Sequence, residues 1–195
     1  MMRGRELRAL GARGGHPLAV CLDGALDDDA RRALFDAAVA ERTCFVGAST
    51  GGADDHRRAL VHYTAVDEAD PVVSLAGALA AEAATLLRVA LDTVARVERQ
   101  LTVHLDGCFY RRHCDNQGEE AARRALAYVY YFHGPRRWSG GELVLEGDAP
   151  LVVAPEDNRL VMFDASVLHE VRRVDAATPL AFDEGRFTIN GWLWR

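Results

Sequence analysis

The chain has 195 residues, 49% of them hydrophobic and 27% charged, the texture of a single folded core and not of a disordered or fibrous protein. A formal charge of −6, with no basic stripe, excludes the usual footprint of a nucleic-acid binder. No run approaches the roughly 18 apolar residues that span a bilayer, and the opening MMRGRELRALGARGG lacks the apolar stretch of about 7–15 residues found in a secretory leader. The expectation is a cytoplasmic protein with neither membrane nor nucleic acid as partner. Its oligomeric state is not legible. All 23 basic residues are Arg. The cysteines, Cys21, Cys44, Cys108 and Cys114, show no C-x-x-C spacing and are expected to be unpaired thiols.

In chain order, residues 1–17 read as an Arg/Gly-rich lead-in. Asp27 to Asp29 signal the start of a helix, supplying a cap and first-turn acids ahead of an Ala/Leu/Phe/Val stretch. Residues 47–55, GASTGGADD, read as a loop. From Pro71 to about Arg99 the chain lacks breakers apart from Gly77, and Leu75, Leu79, Leu86, Val89, Val94 and Val97 recur at spacings near three and four, which predicts a second, long helix. After Gln100 the texture changes to short β-branched or aromatic runs separated by AspGly, GlyPro, GlyGly and AlaPro. Residues 1–100 are therefore expected to be mainly helical support and 101–195 a sandwich or barrel of about eight strands. The class is α+β, mainly β, in one domain over 1–195.

The segment TyrArgArgHisCysAspAsn, 110–116, carries the first chemical signal. If it is a strand, alternation points His113 and Asp115 to one face and Cys114 to the other. His169 can supply a third ligand from a later strand, and two His with one carboxylate suit Fe(II) with open coordination positions. The alternative is a salt-bridged His and Asp on a half-exposed strand. A second pair, His104 and Asp106, has the same spacing, but Asp106-Gly107 is a strong turn signal, so Asp106 reads as a turn residue. Arg186 opens a strand of otherwise apolar and small polar residues. Aimed inward it needs an anion, and its fork matches a carboxylate bidentately. The alternative partners are Asp183 or Glu184 at a rim.

In order along the chain come Tyr-x-x-His-x-Asp-Asn at 110–116, TyrValTyrTyrPhe at 128–132, TrpSerGlyGlyGluLeu at 138–143, AsnArgLeuValMetPhe at 158–163, HisGluVal at 169–171 and GlyArgPhe-x-Ile-x-Gly-Trp at 185–192. With these pieces the second half resembles the prolyl-4-hydroxylase-like branch of the Fe(II)/2-oxoglutarate-dependent oxygenases. The resemblance implies a double-stranded β-helix (jelly roll, cupin-like) with N-terminal supporting helices. Its cofactors would be Fe(II), 2-oxoglutarate and O2, with ascorbate a candidate reductant. It implies His113, Asp115 and His169 as metal ligands and catalytic centre, and Arg186 with Tyr131 on the distal carboxylate of 2-oxoglutarate. Tyr110, Asn116 and Asn190 would line the pocket. The interval between His169 and Arg186 holds sixteen residues, 170–185, more than this family uses, and its part 175–184 is expected to form a loop at the pocket mouth.

Because Asp115 is present, hydroxylation is the implied reaction, with 2-oxoglutarate converted to succinate and CO2. The leading substrate is a peptide- or protein-bound residue, prolyl by the family default. A free amino acid or small natural product is a second reading, and a noncatalytic jelly-roll binding module a third. Arg137 and Trp138, in the turn-rich 133–141 segment, read either as a substrate-facing lid or, for Trp138, as a cap on the core. Alternation puts Arg111 on the His113 side, where it faces substrate or ends in solvent.

Overall fold

The structure, a computed structural model, describes residues 6–48, 56–63 and 70–195. Of the GASTGGADD stretch, 49–55 lie outside these residues, and Gly47 belongs to a short strand, Val46–Gly47. Helix α1 spans Asp28–Ala40, with the Asp27 carboxylate accepting from the Ala30 amide. Helix α2 spans Pro71–Leu87 and is started by Asp70, whose Oδ1 accepts from the Val72 and Val73 amides at 2.8 and 3.2 Å. It is shorter than the expected run to Arg99. The chain turns out of the helix at Arg88, in the left-handed region at φ 55°, and then enters the strands Arg96–Val97 and Gln100–His104. Val89, Val94 and Val97 do pack on the same core as α2, so their spacing reported burial against a common surface and not helical continuity.

Two antiparallel sheets face each other as a double-stranded β-helix. The larger runs Arg8–Leu10, Ala19–Asp23, Arg159–Asp164, Arg124–Phe132, Arg186–Trp194, Gln100–His104, Leu60–His62 and Val46–Gly47, with Arg96–Val97 pairing along Arg186–Trp194. The smaller runs Leu151–Val153, Leu143–Leu145, His169–Val171, Phe109–His113 and Arg57–Arg58. Mainly helical support therefore understates the first hundred residues. Among the described residues they also supply six strands, one of which, Ala19–Asp23, lies inside the larger sheet between Arg8–Leu10 and Arg159–Asp164. Ala19 to Leu22 are all buried, so this strand shows no alternation by which a sequence reading could find it.

The larger sheet has two faces of different character. One takes Val20, Leu22, Leu126, Tyr130, Phe187 and Ile189 against the Ala-rich side of α2 (Ala76, Ala80, Ala83). The other looks toward the smaller sheet, where Leu143, Leu145 and Val153 meet Ala127, Val161 and Phe163. Among the described residues, no helix is long and apolar enough to cross a membrane.

Asp70 ties the helical layer to the sheet. Besides capping α2 it pairs with Arg99 Nε at 2.6 Å, both side chains about a tenth exposed, at the entrance to the Gln100–His104 strand. Removing one partner of a buried pair costs about 3–5 kcal/mol. Asp70→Ala is therefore expected to lower unfolding free energy in urea by that order, and Asp70→Asn, which keeps a cap acceptor, by about 1 kcal/mol less. Equal stability of wild type and Asp70→Ala would contradict the assignment.

Candidate metal and co-substrate site

Between the sheets lies a cavity of about 220 Å3 whose wall includes His113, Asp115, His169, Arg186 and Tyr131. His113 ends one strand and His169 begins the neighbouring one, and the two are register partners, which brings their rings to 4.1 Å between centroids. Asp115 lies just past the strand end, in a turn held by its amide donating to the Ala165 carbonyl at 3.0 Å. The pair thus converges through a turn and not through strand alternation, and Cys114 also reaches the cavity wall instead of pointing away from it. Asp115 Oδ1 is 3.5 Å from His113 Nε2, and Oδ2 is 3.5 Å from His169 Nε2. All three potential ligand atoms lie within 4.8 Å of one another. Donors at right angles around one ion with bonds of ~2.1 Å would sit about 3 Å apart, so small adjustments close the site.

Both imidazoles are oriented for this. His113 Nδ1 donates to the Arg111 carbonyl and His169 Nδ1 to the Val167 carbonyl, each at 2.8 Å. A carbonyl only accepts, so the proton is on Nδ1 and the Nε2 lone pair faces Asp115. Burial pushes the His169 pKa down, against the pull of Asp115, and so favours the neutral ligand form. Burial alone would raise the Asp115 carboxyl; His113 and His169 beside it outweigh that and hold it below the usual range.

Arg186 is 1% exposed. Its Nε donates to the Gly141 carbonyl at 2.8 Å, Nη1 faces His104 Nδ1 at 3.3 Å, and the guanidinium lies 5.0 Å from the Tyr131 ring centroid. The rim alternative does not hold: Glu184 accepts from the Ala181 amide and pairs with Arg137, and among the described residues no carboxylate pairs with Arg186. Burial lowers the Arg186 pKa, the expected cost of a desolvated cation, with Tyr131 opposing. The Gly-Gly bend admits this contact at Gly141, while Gly140 packs against the Arg173 carbonyl. Gly140 and Gly141 have φ of +73° and +70°, and a Cβ on Gly141 would come within 2.8 Å of Arg186 Cδ. The buried Tyr131 hydroxyl stands beside the Arg186 guanidinium.

The wall around Arg186 is a polar ladder across two paired strands. Arg186, Thr188 and Asn190 oppose His104, Thr102 and Gln100 in register, and all six line the cavity, while Phe187 and Ile189 oppose Val103 and Leu101 on the helix side. Thr102 Oγ1 donates to Asn190 Oδ1 at 2.9 Å, and Asn190 Nδ2 donates to Gln100 Oε1 at 3.2 Å. His104, the histidine of the other His-x-Asp pair, also lines the cavity. Burial, with Arg186 and Arg57 adding to it, holds its pKa well below the ordinary value. Neutral His104 takes the Arg186 proton contact on Nδ1 and carries its own proton on Nε2, which is buried with no partner. The signal was present as alternation of Gln100, Thr102 and His104, but it runs opposite to the usual sense, with the polar residues facing inward.

Tyr110 and Asn190 line the cavity as expected, whereas Asn116 does not. Arg111 is exposed, its guanidinium 5.4 Å from the Phe109 ring, because a bulge opposite His169–Val171 interrupts the alternation. The same bulge brings Tyr110 onto the His113 side, where the two rings stack at 3.5 Å and 18°. Arg137 is exposed on its ion pair with Glu184, and Trp138 is buried beside His133, so neither reaches the cavity. Nor does any residue of 175–184: Phe182 anchors that stretch in the helix-side core against Phe45 and Phe187. The turn reading of Asp106 agrees with the structure, where Oδ1 accepts from the Ala176 amide. All four cysteines are free, and burial raises the Cys108 thiol.

Residues 99–194 match the family described as the 2OG-Fe(II) oxygenase superfamily. An uncharacterized PKHD-type hydroxylase of Synechocystis sp. is 40% identical over 113 residues, 51% of this chain and 37% of that protein. A PKHD-type hydroxylase of Prochlorococcus marinus is 28% identical over 93 residues, 47% of this chain and 39% of that protein. The matches thus span about two-fifths of the length of these relatives. The fold is shared with a prolyl-4-hydroxylase of Pseudomonas putida, at TM-score 0.71 and 21% identity over 91% of this chain and 92% of that one. It is also shared with a prolyl hydroxylase of Trichoplax adhaerens, at TM-score 0.69 and 16% identity over 91% of this chain and 83% of that one. Beside its converging imidazoles and carboxylate and its buried guanidinium cradle, the chain is thus similar over 99–194 to the 2OG-Fe(II) oxygenase superfamily, and its fold is one that solved prolyl hydroxylases share.

Proposed function

We propose that the chain, acting as one unit over 1–195, is an Fe(II)/2-oxoglutarate-dependent hydroxylase of a C–H bond in a peptide- or protein-bound residue, with prolyl the first candidate. One observation carries the enzyme reading: Arg186, buried and paired with no carboxylate among the described residues, shares a cavity with three convergent candidate metal-ligand atoms. A dicarboxylate answers both, one end on the guanidinium and the other toward the metal. The polypeptide reading is supported by the Trichoplax relative, which was solved with a peptide fragment of hypoxia inducible factor.

His113, Asp115 and His169 would hold Fe(II), since neutral Nε2 atoms and an ionised carboxylate are the donors it takes. With 2-oxoglutarate and O2 the metal supplies the oxidising chemistry; the protein supplies geometry and a water-poor pocket. Arg186 would take the distal carboxylate, with the Tyr131 hydroxyl and His104 Nε2–H as further donors to the same region. The carbonyls of Arg111 and Val167 keep both imidazoles turned to the metal throughout.

The deciding assay adds Fe(II) and 2-oxoglutarate anaerobically, admits oxygen and measures succinate. Absence of iron-dependent succinate, with and without prolyl peptides, would leave the noncatalytic reading. Asp115→Ala and His169→Ala are expected to abolish turnover, whereas Asp106→Ala, which loses a turn contact, retains most of it. Iron binding lost in Asp106→Ala but kept in Asp115→Ala would reverse the choice of pair. Arg186→Ala is expected to raise the 2-oxoglutarate requirement on the order of 100-fold, as for removal of one partner of a buried charge pair, with iron still bound. An unchanged requirement would contradict the anchor.

A further inference from the structure

Among the described residues three arginines line the cavity: Arg57, Arg124 and Arg186. Arg124 is neutralised by Glu98 at 2.7 Å. Arg186 is spoken for by 2-oxoglutarate under the reading above. Arg57 is not accounted for.

Arg57 comes from the edge strand Arg57–Arg58, in register with Tyr110. Its guanidinium lies 4.7 Å from the Tyr110 ring centroid, and that ring in turn stacks on His113. The cation therefore sits one aromatic ring away from a metal ligand. Its orientation is held: Nη2 donates to Gln100 Oε1 at 2.9 Å, and the same oxygen accepts from Asn190. Nε is buried with no hydrogen-bond partner, and among the described residues no carboxylate pairs with Arg57. Burial lowers its pKa, so holding it here is a cost that structural pairing does not offset. No such expense is needed to close the sheet edge, where an apolar side chain over Tyr110 would serve.

We infer that Arg57 is a second anion site, which binds a carboxylate belonging to the substrate next to the C–H bond that is oxidised. The inference rests on the oxygenase reading and narrows its substrate class. 2-Oxoglutarate has two carboxylates, and Arg186 and the metal side of the cavity account for both. Arg57 then offers a place for a third anion, and under this reading the substrate brings it. The carboxylate has two possible sources: the terminal group of a free or C-terminal amino acid, or an acidic side chain beside the target residue in a peptide. At about 220 Å3 the cavity is below the ~300–1,000 Å3 of pockets that enclose drug-sized ligands, so it encloses the co-substrate and only the reacting end of a substrate.

The test uses the Fe(II)- and 2-oxoglutarate-loaded protein, titrated anaerobically in a calorimeter and then assayed for succinate on admission of oxygen. The probes are N-acetyl amino acids against their carboxamides, prolyl included, and N-acetyl-prolyl-glutamate amide against its glutamine counterpart. Wild type is expected to bind the acid of at least one pair roughly tenfold more tightly than its neutral partner, as for a charge-assisted contact. The pair that shows the contrast identifies the source. Arg57→Gln is expected to lose the contrast while 2-oxoglutarate affinity stays within about twofold, and Arg57→Lys to keep part of it. Thermal melts of both variants check that they are folded. No contrast in any pair would overturn the site, as would an Arg57→Gln protein that loses 2-oxoglutarate affinity instead. Iron-dependent succinate without an acid preference sinks only the Arg57 site. An acid preference without a hydroxylated peptide product sinks only the peptidyl reading.

Discussion

A guanidinium held at 1% exposure, with no carboxylate paired to it among the described residues, is the constraint around which this cavity is built. Each group that makes Arg186 tolerable comes from a different part of the chain: a carbonyl from the Gly-Gly bend, a neutral imidazole from the Gln100–His104 strand, and the face of Tyr131. None of them carries a negative charge, so the cradle orients the cation without neutralising it. That leaves the field of the guanidinium available to a ligand. A carboxylate partner would have stabilised the empty protein more and bound an anionic co-substrate less.

The cradle requires the larger sheet to bury both faces in different ways. Toward α1 and α2 it is apolar and closely packed, with Ala at the helix positions nearest the strands. Toward the smaller sheet the Arg186–Trp194 and Gln100–His104 strands present polar side chains that satisfy one another laterally, from Thr102 through Asn190 to Gln100 and on to Arg57. Such a network is tolerated because its members satisfy one another, and the buried His104 Nε2 and Arg57 Nε, which have no partner among the described residues, belong to residues of the cavity wall. The metal cluster follows the same logic at the other sheet. Backbone carbonyls two residues before each histidine take the Nδ1 protons, so ligand orientation depends on strand geometry and on no second carboxylate.

Much of this was legible in the residues. The helix starts at Asp27 and Asp70–Pro71, the change from helix to strand texture, the turn at Asp106-Gly107 and the inward Arg186 each rest on a local rule with a short range. Other features were not legible, for reasons that differ. Ala19–Asp23 is buried on both faces and has no alternation. The valines after Leu87 keep helical spacing because they cover the same core, although Arg88 has already left the helix. Arg111 fails because a bulge, set by the partner strand, inserts a residue into an otherwise regular count. His104 and Arg57 were invisible as site residues because a polar strand face normally means solvent.

Residue types and their order in the chain, together with the family motifs they form, pointed to the class of chemistry: two histidines, an aspartate and an arginine on a β-rich second half suit a metal and an anion. Which polar residues join them was decided by tertiary structure alone. Register across the larger sheet sets His104 against Arg186 and Gln100 against Asn190, the bulge swings Tyr110 onto His113, and an edge strand more than forty residues upstream of Gln100 delivers Arg57. Local sequence rules reach a few residues along the chain, whereas a cavity is made where distant strands meet. Its membership is therefore a property of the pairing and not of any one segment.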